Sequence, residues 1–377
     1  MARKSVRKCK VKKMALLKKK SNVASNTKNN LITYAMLLGF FAVALIWSET
    51  GDMPRKIQNL LVPLCIYSIL AVSLNLVVGV LGDLSLGHAG FMCIGAYTGA
   101  IFTNIFEAVI PNDFVRFGLA LIIGGIFAAI FGFLICIPVL RLKGDYLAIV
   151  TLAFGEIIKN IFNIVYLGID SEGIKFATNG TSYNEMLLED GETIIKGAMG
   201  ITGTSRDANF IIAFVLLFIT VMASLNLINS RTGRAVMAIR DNSIAAQTIG
   251  INISKYKLIV FSLASFFAGI AGVLYSHNLN SFSSSAFDYN ASILILVYVV
   301  LGGIGSIRGS VISAILLYAL PELLREVGEY RMLFYAILLI VMMIANNNEK
   351  VNDMKKSFMM KFKKNNKKST VVEGGKN

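Results

Sequence analysis

The sequence predicts an all-α integral membrane protein of about ten transmembrane helices, some of them broken or re-entrant. Three observations lead there. The 377 residues are 55% apolar with a mean hydropathy of +0.66, and only 16% are charged, against roughly 25% in soluble domains. The charges sit in blocks, and the apolar runs between the blocks are long enough to cross a bilayer. The signs of the blocks also fit a chain that keeps its Lys and Arg on one side of a membrane.

The apolar runs place spans near residues 31–47, 58–80, 86–106, 116–138, 145–167, 208–228, 257–276, 290–306, 310–327 and 332–345. The first follows a very long basic leader and exceeds the core of a signal peptide, so it reads as an uncleaved span. The third and ninth open on Gly-rich stretches, the mark of a broken or re-entrant segment. Non-helical backbone survives at membrane depth only where protein buries it or a cavity receives it. Small residues recur every four in two spans: Gly124, Ala128 and Gly132, then Ala264, Ala268 and Gly272. Such rows let helices approach closely in lipid. A short echo links Val77–Gly82 (VVGVLG) with Val297–Gly302 (VYVVLG), and the topology makes it a parallel repeat.

The loops assign the sides. Residues 1–30 form a basic arm with eleven Lys and Arg and no acid, and residues 346–377 a tail with nine Lys against three acids. With both ends cytoplasmic and a transmembrane domain over 31–345, loop 229–257 falls inside, with Arg231, Arg234, Arg240, Lys255 and Lys257 against Asp241. Arg141, Lys143 and Arg308 fall inside too. Loop 168–207 falls outside, with seven acids against three bases. The net charge of +15 therefore reflects cytoplasmic faces and anionic lipid, not nucleic acid. Loop 168–207 is long, polar and rich in Gly, and reads either as a functional external surface or as a tolerant insertion. Cys9, Cys65, Cys93 and Cys136 have neither metal nor redox spacing and read as small hydrophobes or free thiols.

Catalytic motifs are missing. No G-x-x-x-x-G-K-[ST], HExxH or CxxC occurs, and His88 and His277 are the two histidines. The chain is therefore expected to bind no cofactor of its own, and if ATP drives it, ATP–Mg sits on a partner subunit. In loop 229–257, Ala235, Val236, Ala238, Ile239, Ile244, Ala245, Ala246 and Ile249 give an apolar face at helical spacing. Two short helices follow, with Asp241-Asn242-Ser243 as turn and cap and Gly250 as terminator. Such helices either lie on the lipid surface or plug into a groove of a partner protein.

Ala245-Ala246 followed by Gly250 resembles the E-A-A…G loop with which importer permeases dock on their ATPase subunit, although Ile244 stands where a Glu would precede the Ala pair. Residues 84–97 (LSLGHAGFMCIGAY), 141–159 (RLKGDYLAIVTLAFGEIIK) and 300–309 (VLGGIGSIRG) sharpen the likeness. Over roughly residues 58–345 the chain resembles the permeases of branched-chain amino acid ATP-binding-cassette importers, specifically the M-type member of a two-permease heterodimer. The resemblance implies a second permease subunit, two ATPase subunits carrying ATP–Mg, an extracytoplasmic substrate-binding protein and a bacterial cytoplasmic membrane. It makes 229–257 the cytoplasmic coupling loop, with Arg240, Asp241, Ala245, Ala246 and Gly250 at the ATPase. Thr204-Ser205 stand where the family often has an apolar residue and proline, and Ser310 stands where proline is usual.

Polar residues within spans are candidates for the translocation path: Asn75, Gly87, His88, Thr151 and Glu156. His88 lies between Gly87 and Ala89, and either lines the path or fixes a Gly-rich bend. Glu156 is costly at mid-span, so it faces the interior or a partner. With Lys159 three residues on, it reads as a structural ion pair or as a polar post beside the path. Two further functions stay open: a urea or amide importer permease, and an ion-coupled secondary transporter that uses Glu156.

Overall fold

The computed structural model describes residues 30–47, 54–107, 109–140, 142, 144–170, 173–178 and 192–324, with a few more up to Ile340. Residues 1–315 form one compact unit and 316–377 a second. Of the second, the described residues are the last turns of a helix ending at Leu323 and scattered helical positions beyond it.

The first helix, α1 (Asn30–Trp47), lays Phe41 against Phe214 of a later helix, ring centroids 4.1 Å apart. α2 (Arg55–Leu81) is α-helical to Asn75 and then π-helical over Leu76–Leu81, and it is the most deeply buried of the long helices. It ends at Gly82, whose φ of 85° closes the last turn by bonding its own N–H and that of Asp83 to Val77 O. Irregular chain over 82–87 leads into α3 (His88–Ile105). α4 (Asp113–Val139) starts on Asn112, whose side chain accepts from Phe114 N and Val115 N, with Asp113 at the positive end of the helix dipole. α5 (Asp145–Ile164) follows Gly144 at φ 62°. After the outer segment come α6 (Phe210–Asn229), α7 (Arg231–Asp241), α8 (Ser243–Thr248) and α9 (Ile253–Asn278). α10 (Tyr289–Gly302) is capped by Asp288, and α11 (Ile307–Leu323) follows a glycine turn.

Among the described residues, α1, α2, α4, α5, α6 and α9 are long and apolar enough to cross a membrane. These are six of the ten expected spans. The expected third, eighth and ninth spans are α3, α10 and α11, with 18, 14 and 17 residues. At 1.5 Å per residue α10 and α11 run about 21 and 26 Å, short of a hydrocarbon core of about 30 Å, while α3 equals α1 in length and differs in being less apolar. The expected tenth span lies largely outside the described residues, as do nearly all of the basic arm and the whole of the tail, Arg141 and Lys143. Cys65, Cys93 and Cys136 are buried free thiols.

α9 packs against both α3 and α4. The row Gly124, Ala128, Gly132 forms the α4 side of that seam: an added Cβ on Gly124 would meet Val273 at 2.4 Å, and one on Gly132 would meet Ser265 at 2.2 Å. On the same stripe of α9, a Cβ on Gly272 would sit 2.0 Å from the carbonyl of Met92 in α3. Backbones touch here, which matches the need of lipid-embedded helices for dispersion contacts where hydrophobic drive is weak.

The chain is mostly helical, but the segment between α5 and α6 corrects the all-helical expectation. Much of it folds as an antiparallel five-stranded sheet in the order β2-β1-β3-β4-β5: β1 (Tyr166–Asp170), β2 (Gly173–Ala177), β3 (Glu192–Lys196), β4 (Ile201–Thr202) and β5 (Ser281–Phe282). The cross-strand neighbours Ile195, Ile201 and Phe282 bury one side of it, and Ala177 and Ile194 are buried on the other. Strands this short carry little period-two signal, and polar residues and glycines dominate the composition. Because β5 follows α9, the sheet gathers the C-terminal ends of α5 and α9 and the start of α6 at one end of the bundle. α7 and α8, between α6 and α9, are at the other end.

Gly272→Val is expected to destabilise the bundle by about 1–3 kcal/mol or more, because the carbonyl it meets cannot yield as a side chain would. Gly118→Val, with open space around an added Cβ, should stay within about 0.5 kcal/mol. Unfolding in detergent by titration with a denaturing surfactant reads both, and equal losses would refute the close α3–α9 contact.

Candidate functional site

Two clusters carry the residues singled out from the sequence. The first is the helix pair α7–α8. Ser230 caps α7 by accepting from Gly233 N at 3.1 Å. Asn242 caps α8 by accepting from Ile244 N at 3.1 Å and Ala245 N at 3.0 Å. Gly250, at φ 86°, ends α8, donating to Gln247 O while Ile251 N reaches Ala246 O. The apolar stripe expected on this loop splits into two faces. Val236, Ile239 and Ala246 are buried, while Ile244 and Ile249 are 74% and 75% exposed.

Arg240 belongs to both faces. Its Nη1 donates to Gly79 O at 2.8 Å, and its Nε and Nη2 donate to Asp241 Oδ1 at 3.3 and 3.2 Å. Gly79 lies in the π-helical end of α2, where the last carbonyls lack intrahelical partners. Close by, Asn75 spends its whole amide: Oδ1 accepts from Gly305 N at 2.8 Å and Nδ2 donates to Ser310 Oγ at 2.9 Å. A second tie joins the same region to α9, where Lys257 Nζ and Asp83 Oδ2 lie 2.5 Å apart.

The second cluster surrounds the start of α3. Gly87, His88 and Thr151 come together there, and Asn75 does not join them. Leu86 N donates to Thr151 Oγ1 at 3.0 Å, and Ala89 N donates to Ser292 Oγ at 3.1 Å. His88 Nε2 shares a hydrogen bond of 2.7 Å with Ser73 Oγ. A Cβ on Gly87 would fall 2.3 Å from Thr151 O, so only glycine lets the irregular chain press against α5. Glu156 sits one to two turns further along α5. It pairs with Lys159 at 2.5 Å, and its Oε1 accepts from Tyr289 N at 2.9 Å. Tyr289 opens α10, so that helix starts beside the middle of α5, with a carboxylate at its positive end.

Over residues 56–345 the chain matches the family described as branched-chain amino acid transport system / permease component. The chain belongs to this family. The permease is 34% identical over 317 residues to the high-affinity branched-chain amino acid transport system permease protein LivM of Escherichia coli (strain K12), covering 82% of this chain and 72% of that one. It is 25% identical over 303 residues to the probable branched-chain amino acid transport permease protein LivM of Methanocaldococcus jannaschii, covering 71% and 80%. A more distant likeness, 26% over 313 residues, reaches the ribose import permease protein RbsC of Escherichia coli (strain K12), covering 80% and 88%. No solved structure matches the permease. The family and the apolar helices together make it a multi-pass membrane transport protein.

Several partners in these clusters carry no signal in the sequence. Ser73 and Ser292 are single serines in or beside apolar runs, Ser310 stood out only as a departure from the usual proline, and Gly79 is one glycine among many. Their importance comes from what lies opposite them.

Glu156→Gln keeps an acceptor for Tyr289 N in the permease but leaves Lys159 without a counter-charge. It is expected to cost about 1–3 kcal/mol. Glu156→Gln with Lys159→Met removes the stranded charge and should recover most of that loss. Surfactant-unfolding midpoints give the double-mutant cycle, and a double variant no better than the single one would show that the pair is not coupled.

Proposed function

We propose that this permease is the membrane-spanning subunit of an ATP-binding-cassette importer, forming part of the path for branched-chain amino acids handed over by an extracytoplasmic binding protein. The observation that carries the reading is the exposed face of α7–α8. Two capped helices, pinned to the bundle through Val236, Ile239 and Ala246, hold Ile244 and Ile249 outward at one end of the molecule. Rigid apolar anchors on short helices suit a groove in a soluble partner. Arg231, Arg234 and Arg240 around them support a cytoplasmic partner. ATP–Mg belongs to two such ATPase subunits, and this chain acts as a transport subunit and not as an enzyme.

In the full assembly the chain crosses the cytoplasmic membrane about ten times, both ends inside. A second permease subunit completes the path. On α5, Asn160 is exposed and the Glu156–Lys159 pair is about a quarter exposed. Polar groups of that kind are costly against lipid, so this face suits the partner permease or the path between the two. The ribose likeness indicates that related scaffolds serve other cargoes, which leaves the choice of amino acid to the binding protein. The ion-coupled alternative draws little support, because the Glu156 carboxylate already serves Lys159 and Tyr289 N.

Two experiments test this. Ile249→Asp should cut co-purification of the native ATPase by about tenfold or more, as expected when an interface anchor is lost. Retention at the wild-type level, or a wild-type chain that transports alone in liposomes, would overturn the reading. Single cysteines replacing Met199 and Ile244, both exposed at opposite ends of the bundle, in a background without the native cysteines, should label from opposite sides of the membrane. Labelling from the same side would refute the topology.

A further inference from the structure

The contacts of Arg240 go beyond what a docking loop needs. Its guanidinium reaches 161 residues back along the chain to the carbonyl of Gly79, at the C-terminal end of α2. That carbonyl has lost its helical donor, and a cation suits the negative end of a helix. Asp241 holds the other edge of the guanidinium, so the fork is aimed. Beside Gly79 lies the turn between α10 and α11, where a Cβ on Gly305 would come 3.4 Å from Gly79 O and 3.9 Å from Arg240 Nη1. A Cβ on Gly79 would meet Asn75 Oδ1 at 2.0 Å and Gly305 N at 2.3 Å, the two ends of the Asn75–Gly305 hydrogen bond. Gly82 lies under the stem of the same arginine, its added Cβ only 2.5 Å from Arg240 Cγ. Three segments therefore meet with no slack: the last turn of α7, the π-helical end of α2, and the turn Gly303–Ser306.

We propose that Arg240 is a positioning residue of the transport cycle: through Gly79 and Asn75 it forms a strut that makes the turn Gly303–Ser306 move with α7. The inference rests on α7–α8 being the surface that an ATPase moves. The π-helical end of α2 is the middle member of the strut, and its widened turn exposes a carbonyl to a neighbour while still closing on Gly82. Asn75, fully buried, carries the displacement onward because both ends of its amide are bonded across the gap. Packed interfaces of this kind shift as units and do not deform gradually.

The test uses the complete complex purified from its own cells, with Ile304→Cys introduced in a background lacking the four native cysteines. Ile304 is 60% exposed and sits in the turn. Its alkylation rate is measured with and without ATP plus vanadate, beside substrate transported per ATP hydrolysed. In the wild-type background the rate should change with nucleotide. Arg240→Met, which keeps the aliphatic stem over Gly82 but removes the donors, should shrink that change and the transport-to-hydrolysis ratio by about tenfold, the loss of one charge-assisted bond. Arg240→Lys should restore most of both. A merely structural residue would lower the amount of complex and leave the ratio per complex unchanged. If Arg240→Met does not assemble, Asp241→Asn, which loosens the aim of the guanidinium, carries the same two readouts. A nucleotide response and ratio equal to wild type in these variants, or a wild-type turn blind to nucleotide, overturns the strut alone. A wild-type chain that needs no ATPase overturns the functional reading and the strut with it.

Discussion

A backbone amide or carbonyl released at a helix break within a membrane finds no water, and leaving it unpaired costs several kcal/mol. This bundle breaks its helices at Gly82–Gly87 and at Gly303–Ser306, and starts α10 beside the middle of α5. Each break is met by a side chain from another helix. Asn75 takes Gly305 N, Thr151 takes Leu86 N, Ser292 takes Ala89 N, Glu156 takes Tyr289 N, and Arg240 supplies Gly79 O. The net worth is only about 0.5–1.5 kcal/mol for each neutral bond and about 1.5–3 kcal/mol for those of Glu156 and Arg240, and the penalty for leaving the group bare adds to it in deciding where these side chains go. Most of the polar residues inside the spans therefore serve the backbone first, whatever else they do.

Close approach follows from the same constraint. A side chain as short as Thr or Ser reaches a neighbour's backbone only if the two helices nearly touch. Gly87 against Thr151 and Gly90 against Gly155 bring the start of α3 onto α5, while Gly95 against Gly269 and Gly272 against Met92 bring α3 onto α9. In lipid, apolar side chains gain little by leaving one hydrocarbon surface for another, so small residues and dispersion hold such seams. The outer face of α4, with Ile122, Ile126, Phe133 and Ile137 exposed, shows the complementary pattern of bulky side chains left for the acyl chains.

The two ends of the bundle differ in kind. One carries a twisted set of short strands, sewn together from the segment after α5 and the segment after α9. The other carries two capped helices tied inward by Arg240 and by the Lys257–Asp83 pair. The α9 helix spans from one to the other and forms the seam with α3 and α4. A displacement at α7–α8 thus meets a tightly packed bundle with few soft joints, and the irregular 82–87 segment and the glycine turn before α11 are the places where the backbone is not locked into a helix.

The sequence by itself determined what depends on neighbours within about one helical turn. The long apolar runs became α1, α2, α4, α5, α6 and α9, the Asn242 cap and the Gly250 stop divided loop 229–257 into two helices, and the short motifs at 84–97, 141–159 and 300–309 pointed to the permease family. Tertiary structure decided the rest. Ile201 pairs with Phe282, some 80 residues further on, so no window on residues 166–202 could reveal how the sheet is completed. Val236 and Ile244 share one apolar stripe in sequence but face opposite ways, because only the bundle distinguishes a buried face from an exposed one. Asn75 meets a partner 230 residues away and Arg240 one 161 residues away. A side chain's type states what it can bond, and only the packed fold sets which orphaned backbone group lies within its reach.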